Sequence, residues 1–342
     1  MNMRSTNGQK GAVLIFVLWV LSFLAVLAVN LGYGVRQKMT FMKRIESRSQ
    51  AQHVVEGGVK VAVTLLLNDL QRNQFQYTAA AKTFRHNNPS RFADIRMEDG
   101  SCEVSYPVGT PSTSQDRMFG VIDEESKINV NTADKLTLQS IISQVLVVDD
   151  NYAEKLAESI YDWRQLGDSE IKGFTGDDYY SNLKFPYPKK SLPFEMPDEL
   201  LLIKGMDRAK YEILRNFVTV YGNGQVNVNT ASKQVLIALG LNETVADKIL
   251  AQRRGPDGVD NTADDHMFYR TFDIATEVNA YAKMEDAEMR MIDSLNQRGV
   301  LGTNSYYFTV NCLAFLKGTN EKRRAVVTFS STDNRIVYWN EK

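Results

Sequence analysis

The chain is short of net charge, since 40 Lys and Arg face 41 Asp and Glu and leave a formal net charge of −1. That balance argues against the strong positive field of a nucleic-acid binder, although a local patch remains open. Cysteine is equally scarce. The two that exist, Cys102 and Cys312, exclude a disulfide-dense framework and a Cys-based zinc cluster. The three histidines, His53, His86 and His266, are too far apart for a local metal motif. There is no Gly-x-Ser-x-Gly, no His-Glu-x-x-His and no phosphate-cradling glycine loop. The chain therefore reads as a structural protein rather than an enzyme. Acid runs such as Asp123-Glu124-Glu125 read as solvated turns.

What is present begins with AVLIFVLWVLSFLAVLAVNLGYG, Ala12 to Gly34, which carries no charge behind a polar leader ending in Lys10 and Gly11. That run is long enough to cross a bilayer as one helix. Val35, Met39, Met42, Ile45, Val55, Val59, Ala62, Leu66 and Leu70 then recur mostly at three or four residues, which continues the helix in amphipathic form to about Asn73. Gly57 and Gly58 should weaken its middle. Charge leaves the topology ambiguous. Arg4 and Lys10 precede the apolar run, but Arg36, Lys38, Lys43, Arg44 and Arg48 follow it, and the positive-inside rule alone would keep the body cytoplasmic.

Lys10-Gly11 before the apolar run from Ala12 resembles the type IV pilin-like proteins. The resemblance implies cleavage after Gly11 by a prepilin peptidase, methylation of Ala12, and a single-pass inner-membrane protein with its body in the periplasm. Ordinary members carry Glu as the fifth mature residue; here that position is Phe16. A bare carboxylate in hydrocarbon is costly and is kept where a partner charge exists. A subunit at the tip of a filament has no neighbour above it, and absence of this Glu is a feature of the K-type minor pseudopilins of type II secretion.

The rest of the chain is long enough for two domains with real cores. SCEVSYP alternates Cys102, Val104 and Tyr106 with polar residues, and the C-terminal runs YYFTVNCLAFLKG, RRAVVTFSS and RIVYWN read as an antiparallel meander. Cys102 and Cys312 fall on apolar strand faces, as buried thiols or as a disulfide. Between the strand regions, 123–299 reads as an inserted helical domain. Within it, KINVNTADKLTLQSI and QVNVNTASKQVLIAL echo one another, and Thr132 and Thr230 are expected to cap the helices that follow. The Asn residues at 129, 131, 227 and 229 should bond to nearby backbone.

The expected class is α+β. A leader (1–11) and a transmembrane helix (12–34) precede a pilin-like antiparallel body (35–122 and 300–342) with an all-α insertion (123–299). The insertion contains helix-hairpin-helix-like units at Gly205-Met206-Asp207 and Gly240-Leu241-Asn242. A membrane-anchored DNA-binding protein is the alternative these hairpins raise, and a minor pilin of a related type IV pilus is another. Both hairpins lack the second glycine of DNA-binding versions, and Asp207 and Glu243 would repel phosphate. No nucleic-acid partner is expected.

The K-type resemblance extends through the VIDEESKIN stretch (Val121 to Asn129), Asp162-Trp163, Asp177-Asp178-Tyr179-Tyr180 and Pro186, Pro188, Pro193 and Pro197. It implies other minor pseudopilins as partners and calcium near Asp168, Glu170, Asp177 and Asp178. A second acidic loop offers Asp257, Asp260, Asp264 and Asp265 to the same hard cation. Neither loop has the EF-hand spacing.

Overall fold

The computed structural model describes residues 8–75, 88–107, 117–165, 178–260, 262 and 264–341. Helix α1 runs from Gly8 to Phe75 without a break, which at about 1.5 Å per residue is on the order of 100 Å. Its apolar stripe has two fates. Ala51, Val54, Val55, Val59, Ala62 and Leu66 are buried against the sheet, whereas Val35, Met39, Met42 and Ile45 stand exposed. Everything apolar between Val13 and Leu31 that carries a large side chain is exposed as well.

The helix runs unbroken through the glycine pair, which lets it close on the sheet. A Cβ on Gly58 would fall 2.1 Å from Cys102 Sγ and 3.0 Å from Cys312 Sγ, and one on Gly57 would fall 2.7 Å from Met97 Sδ. The helical propensity lost at each glycine, roughly 1 kcal/mol, is offset by this close approach, since burying one Val or Leu fully contributes about 1.5–3 kcal/mol.

The sheet follows from the alternation in its strands. The body strands are β1 (Ile95–Arg96), β2 (Gly100–Pro107), β3 (Arg117–Phe119) and β4 (Ile122–Asp123), with β9 (Tyr307–Leu316), β10 (Lys322–Ser330) and β11 (Arg335–Glu341) from the C-terminal part. They form an antiparallel sheet ordered β1-β2-β9-β10-β11, with β3 on β2 and β4 on β9. The meander expected at the C-terminus is thus present. Phe308, Val310, Cys312 and Ala314 share its buried face with Cys102 and Val104. Helix α2 (Pro89–Phe92), capped by Asn88, is one turn in a stretch the sequence reads as loop.

Between β4 and β9 the chain forms a helical lobe with its own core. Its helices are α3 (Lys135–Val145), α4 (Asp150–Trp163), α5 (Asp178–Ser181), α6 (Arg208–Leu214), α7 (Lys233–Ala238), α8 (Glu243–Arg253), α9 (Ile274–Tyr281) and α10 (Asp286–Gln297). The lobe also carries two short parallel pairs, β5 (Ile128–Asn129) with β6 (Val218–Thr219) and β7 (Val226–Asn227) with β8 (Leu301–Gly302). The fold is α+β.

Candidate functional site

The sequence echo is a structural repeat. In the first copy Ile128 N–H and Val130 N–H donate to Phe217 and Thr219 carbonyls; in the second, Val226 and Val228 donate to Val300 and Gly302. Asn131 exchanges side-chain bonds with the backbone of Phe194 at 2.7 and 3.0 Å, and Asn229 does the same with Phe268 at 2.8 and 2.9 Å. Each copy is closed by an arginine that the sequence reading missed. Arg164 donates to the carbonyls of Val130 and Ala133, and Arg253 donates to those of Val228 and Ala231 at 3.2 and 2.6 Å. Burial pushes the Arg253 guanidinium down to about 10. The sequence signal for these two is a basic residue at the C-terminal end of each copy's second helix.

The expected caps shift by two residues. Asp134 caps α3 and Ser232 caps α7, because Asn-Thr-Ala itself forms a turn in which Ala133 and Ala231 donate to Asn129 and Asn227 carbonyls. That leaves the two threonines free for other bonds, and Thr230 uses its hydroxyl on the body. The Asn residues make the expected local bonds, Asn131 N–H to Asn129 Oδ1 at 2.8 Å and Asn229 N–H to Asn227 Oδ1 at 3.0 Å.

The Asp123-Glu124-Glu125 run is not a solvated turn. All three are buried where lobe and body meet, at 4%, 4% and 5% exposure. Asp123 Oδ2 accepts from Ser305 Oγ (2.6 Å), Thr230 Oγ1 (2.5 Å) and Asn227 Nδ2 (3.1 Å). Glu124 accepts from Lys127 Nζ (2.8 Å), Thr219 Oγ1 (2.8 Å) and Thr309 Oγ1 (2.7 Å). Glu125 Oε2 accepts from the Tyr306 and Tyr307 amides. Desolvation raises Asp123 against four hydrogen bonds that lower it. It also pushes Glu125 up to about 7, helped by the charges of Asp123 and Glu124 and opposed by the Tyr306 amide. Buried polar groups need partners, and these carboxylates have them from both sides of the junction.

The other expected sites fall elsewhere. Cys102 and Cys312 are buried free thiols on neighbouring strands, offset diagonally because Cys102 lies opposite Ala314 and Val104 opposite Cys312. A hydrogen bond between them lowers Cys102 and, with burial, raises Cys312. Phe16 is exposed on α1, and Gly11 and Ala12 lie within that helix. Asp168, Glu170 and Asp177 lie outside the described residues, and Asp178 opens α5.

In the second acidic loop the carboxylates serve the loop itself. Asp264 accepts from Thr262 Oγ1 (2.7 Å) and Asp257 N–H (3.1 Å), which hold it below the usual carboxylate range. Asp257 accepts from Val259 N–H (2.8 Å), Asp265 from Thr262 Oγ1 (3.2 Å), and Asp260 pairs with Arg254 (3.1 Å). Among the described residues no group of three or more His, Cys, Asp or Glu is placed to hold a metal ion. Among the described residues of loop 257–265, the carboxylates are engaged in these bonds.

The hairpins are arranged for capping. Gly205 and Gly240 take positive φ, +91° and +113°, and the side chains that follow occupy the helix starts. Asp207 accepts from Lys210 N–H at 2.8 Å to cap α6, and Asn242 accepts from Val245 N–H at 2.8 Å to cap α8. One N–H of each helix start is thereby taken by the cap.

Residues 122–223 match the family model described as type II secretion system (T2SS), protein K. Over 235 residues the chain is 23% identical to a protein named as a type II secretion system protein K in Escherichia coli (strain K12); the match covers 65% of this chain and spans 66% of that relative's length. In fold it is similar to a chain of the GspK-GspI-GspJ complex from the enterotoxigenic Escherichia coli type 2 secretion system, with a TM-score of 0.58 at 17% identity, covering 87% of this chain and 99% of that one. The region of the match runs from β4 through the acidic junction and the first repeat to the loop before β7. By sequence across that region and by fold across most of its length, the chain is similar to protein K of type II secretion.

Proposed function

We propose that this chain is a minor pseudopilin that caps the tip of a type II secretion pseudopilus. The observation that carries this reading is the two-part stripe of α1. Its distal half is buried on the sheet, while the half from Ala12 to about Ile45 is apolar, continuous and uncovered. One helix here is long and apolar enough to cross a membrane, and the exposed stripe beyond it suits packing against the helices of other minor pseudopilins. A lobe as bulky as 123–299 suits the end of a filament better than its repeating shaft.

Maturation is the first step in this reading. Prepilin peptidase cleaves after Gly11, Ala12 becomes the methylated amino terminus, and the body enters the periplasm. Both thiols are buried in the folded body, so the disulfide oxidants of that compartment reach them while the body is still folding. Transfer of two electrons and release of two protons would join Cys102 Sγ to Cys312 Sγ. Calcium belongs to the segment 168–178 in this reading, since the carboxylates of 257–265 are committed to their own loop.

The experiment is co-purification. The full chain, tagged at its C-terminus and expressed with the other minor pseudopilins of its own system, should copurify with them from detergent-solubilised membranes and should start at Ala12. Deletion of its gene should abolish secretion. A chain that starts at Met1 beside an active peptidase and purifies alone would defeat the proposal. Tight, salt-sensitive DNA binding by the soluble portion would favour the DNA-binding alternative.

A further inference from the structure

The segment from Asp123 to Glu125 bonds to both repeats of the lobe and to the start of β9. Through Glu124 it holds Thr219, the closing strand of the first repeat. Through Asp123 it holds Asn227, Thr230 and Ser305, the opening turn of the second repeat and the strand exit beyond β8. Through Glu125 and Glu124 it holds Tyr306, Tyr307 and Thr309 at the start of β9. Gly222, at φ +84°, leaves the space that the Glu125 side chain fills: a Cβ there would fall 2.8 Å from Glu125 Cγ.

Charge is unbalanced in this junction. Lys127 pairs with Glu124 at 2.8 Å and is itself buried, while the bonds to Asp123 and Glu125 come from hydroxyl, amide and backbone donors. Two further buried negative charges without a counter-ion are costly in a low dielectric, and such groups take up a proton instead. The titratable groups around Glu125 are Asp123, Glu124 and Lys127 from its own segment. From the lobe Tyr221 faces Glu124, and burial has pushed that phenol up. The start of β9 offers backbone N–H groups from Tyr306 and Tyr307.

We propose that Asp123, Glu124 and Glu125 form a proton-loaded clamp that fastens the helical lobe to the sheet body, and that the clamp loosens when the segment gives up its proton. The proposal concerns this chain's own two lobes and does not depend on the secretion reading. Its sign follows from linkage. A carboxyl raised in the folded state binds its proton more tightly folded than unfolded, so folding loses stability as pH rises from the ordinary value of 4.5 to about 7 for Glu125. Above that value this group contributes no further change. Asp123, raised by the same burial, acts in the same direction.

The test is amide hydrogen exchange of the full chain in detergent at pH 5.5 and pH 8, corrected for the intrinsic pH dependence of exchange. Protection of the amides around Tyr306 and Tyr307 should fall at least about fivefold at pH 8, a change of about 1 kcal/mol, while amides deep in the sheet, such as Val327, hold theirs. Glu125→Gln keeps the acceptor and the volume but cannot ionise, so its loss of protection at pH 8 should be smaller than the parent's, the remainder coming from Asp123. The exposed control Glu98→Gln should behave as the parent. Equal protection of Tyr306 and Tyr307 at both pH values in the parent would overturn the clamp, as would a Glu125→Gln chain that retains the parent's pH response. If Glu125→Gln does not fold, the parent's own two-pH comparison still decides.

Discussion

Thr230 donates its hydroxyl to Oδ2 of Asp123 across 2.5 Å, fastening a helix-start turn of the lobe to the last residue of β4. Its counterpart in the first repeat, Thr132, reaches only the Asn129 carbonyl at 3.4 Å. The two positions share a sequence and a local fold yet differ in what they hold. Thr230→Val should therefore cost about 1–3 kcal/mol, because a buried acceptor loses a donor. Thr132→Val should cost well under that, since its one bond is long and local. Denaturant unfolding of the soluble portion measures both. Equal losses would mean that the junction does not rely on this bond.

Gly58 predicts a packing effect. Alanine there needs space already filled by Cys102 Sγ and Cys312 Sγ, so α1 must lift or both thiols must move. Overpacking of this kind costs about 1–3 kcal/mol. Gly32 has nothing within 4 Å of its Cβ direction, so Gly32→Ala gains helix propensity of up to roughly 1 kcal/mol and should raise the melting temperature or leave it unchanged. Thermal unfolding of the two variants in detergent separates a steric glycine from a merely helical one.

Arg253 predicts the value of a shared fork. One guanidinium nitrogen of Arg253 serves the carbonyls of both Val228 and Ala231, and Arg164 serves the matching pair in the first repeat. A lysine offers a point charge on a thinner stem and loses the planar fork. Arg253→Lys should destabilise by about 1–3 kcal/mol, read as an earlier denaturant midpoint with the slope unchanged. A neutral outcome would show that the turn holds itself together.

Local signals were legible in the sequence, and long-range ones were not. The run from Ala12, the alternation in the C-terminal strands and the Asn-Thr-Ala echo all depend on neighbours in the chain, and each maps to an element in the structure. The Asp123-Glu124-Glu125 run misled because its partners lie far away in sequence: Thr219, Asn227, Thr230, Ser305 and Tyr306. Nothing within a few residues of an acidic triplet tells a solvated turn from a buried one. Thr132 and Thr230 misled differently. A threonine before a helix is a good cap by propensity, but the turn it belongs to uses the residue after Ala133 and Ala231 instead.

Phe16 carries the prediction for assembly. It stands exposed on α1 within the charge-free run, and a carboxylate there would sit in hydrocarbon unless a neighbour supplies a positive group. At a filament tip no subunit above supplies one. Phe16→Glu should lower recovery of the minor pseudopilin complex from membranes or leave it unchanged, and it should never raise it. Quantitative copurification in parallel with the parent checks this, and better assembly of the variant would remove Phe16 from the argument for tip placement.

Calcium gives the prediction that discriminates between the two acidic loops. The second loop has already spent its carboxylates on Val259, Thr262, Arg254 and its own Asp257 amide, so a cation there would have to displace bonds that exist. The first, with Asp168, Glu170, Asp177 and Asp178, is the one the K-type resemblance assigns to the ion. A ligand that binds the folded state alone stabilises it by RT ln(1 + [L]/Kd), about 2.7 kcal/mol at a hundredfold excess over Kd. Extracytoplasmic modules often bind calcium only at about 0.1–1 mM, so the titration must reach millimolar. Melting of the soluble portion should rise in calcium relative to chelator. The rise should vanish in Asp177→Ala/Asp178→Ala and persist in Asp260→Ala/Asp264→Ala. The reverse pattern would assign the ion to the second loop despite its internal bonds, and no rise at all would return both loops to plain solvated acid.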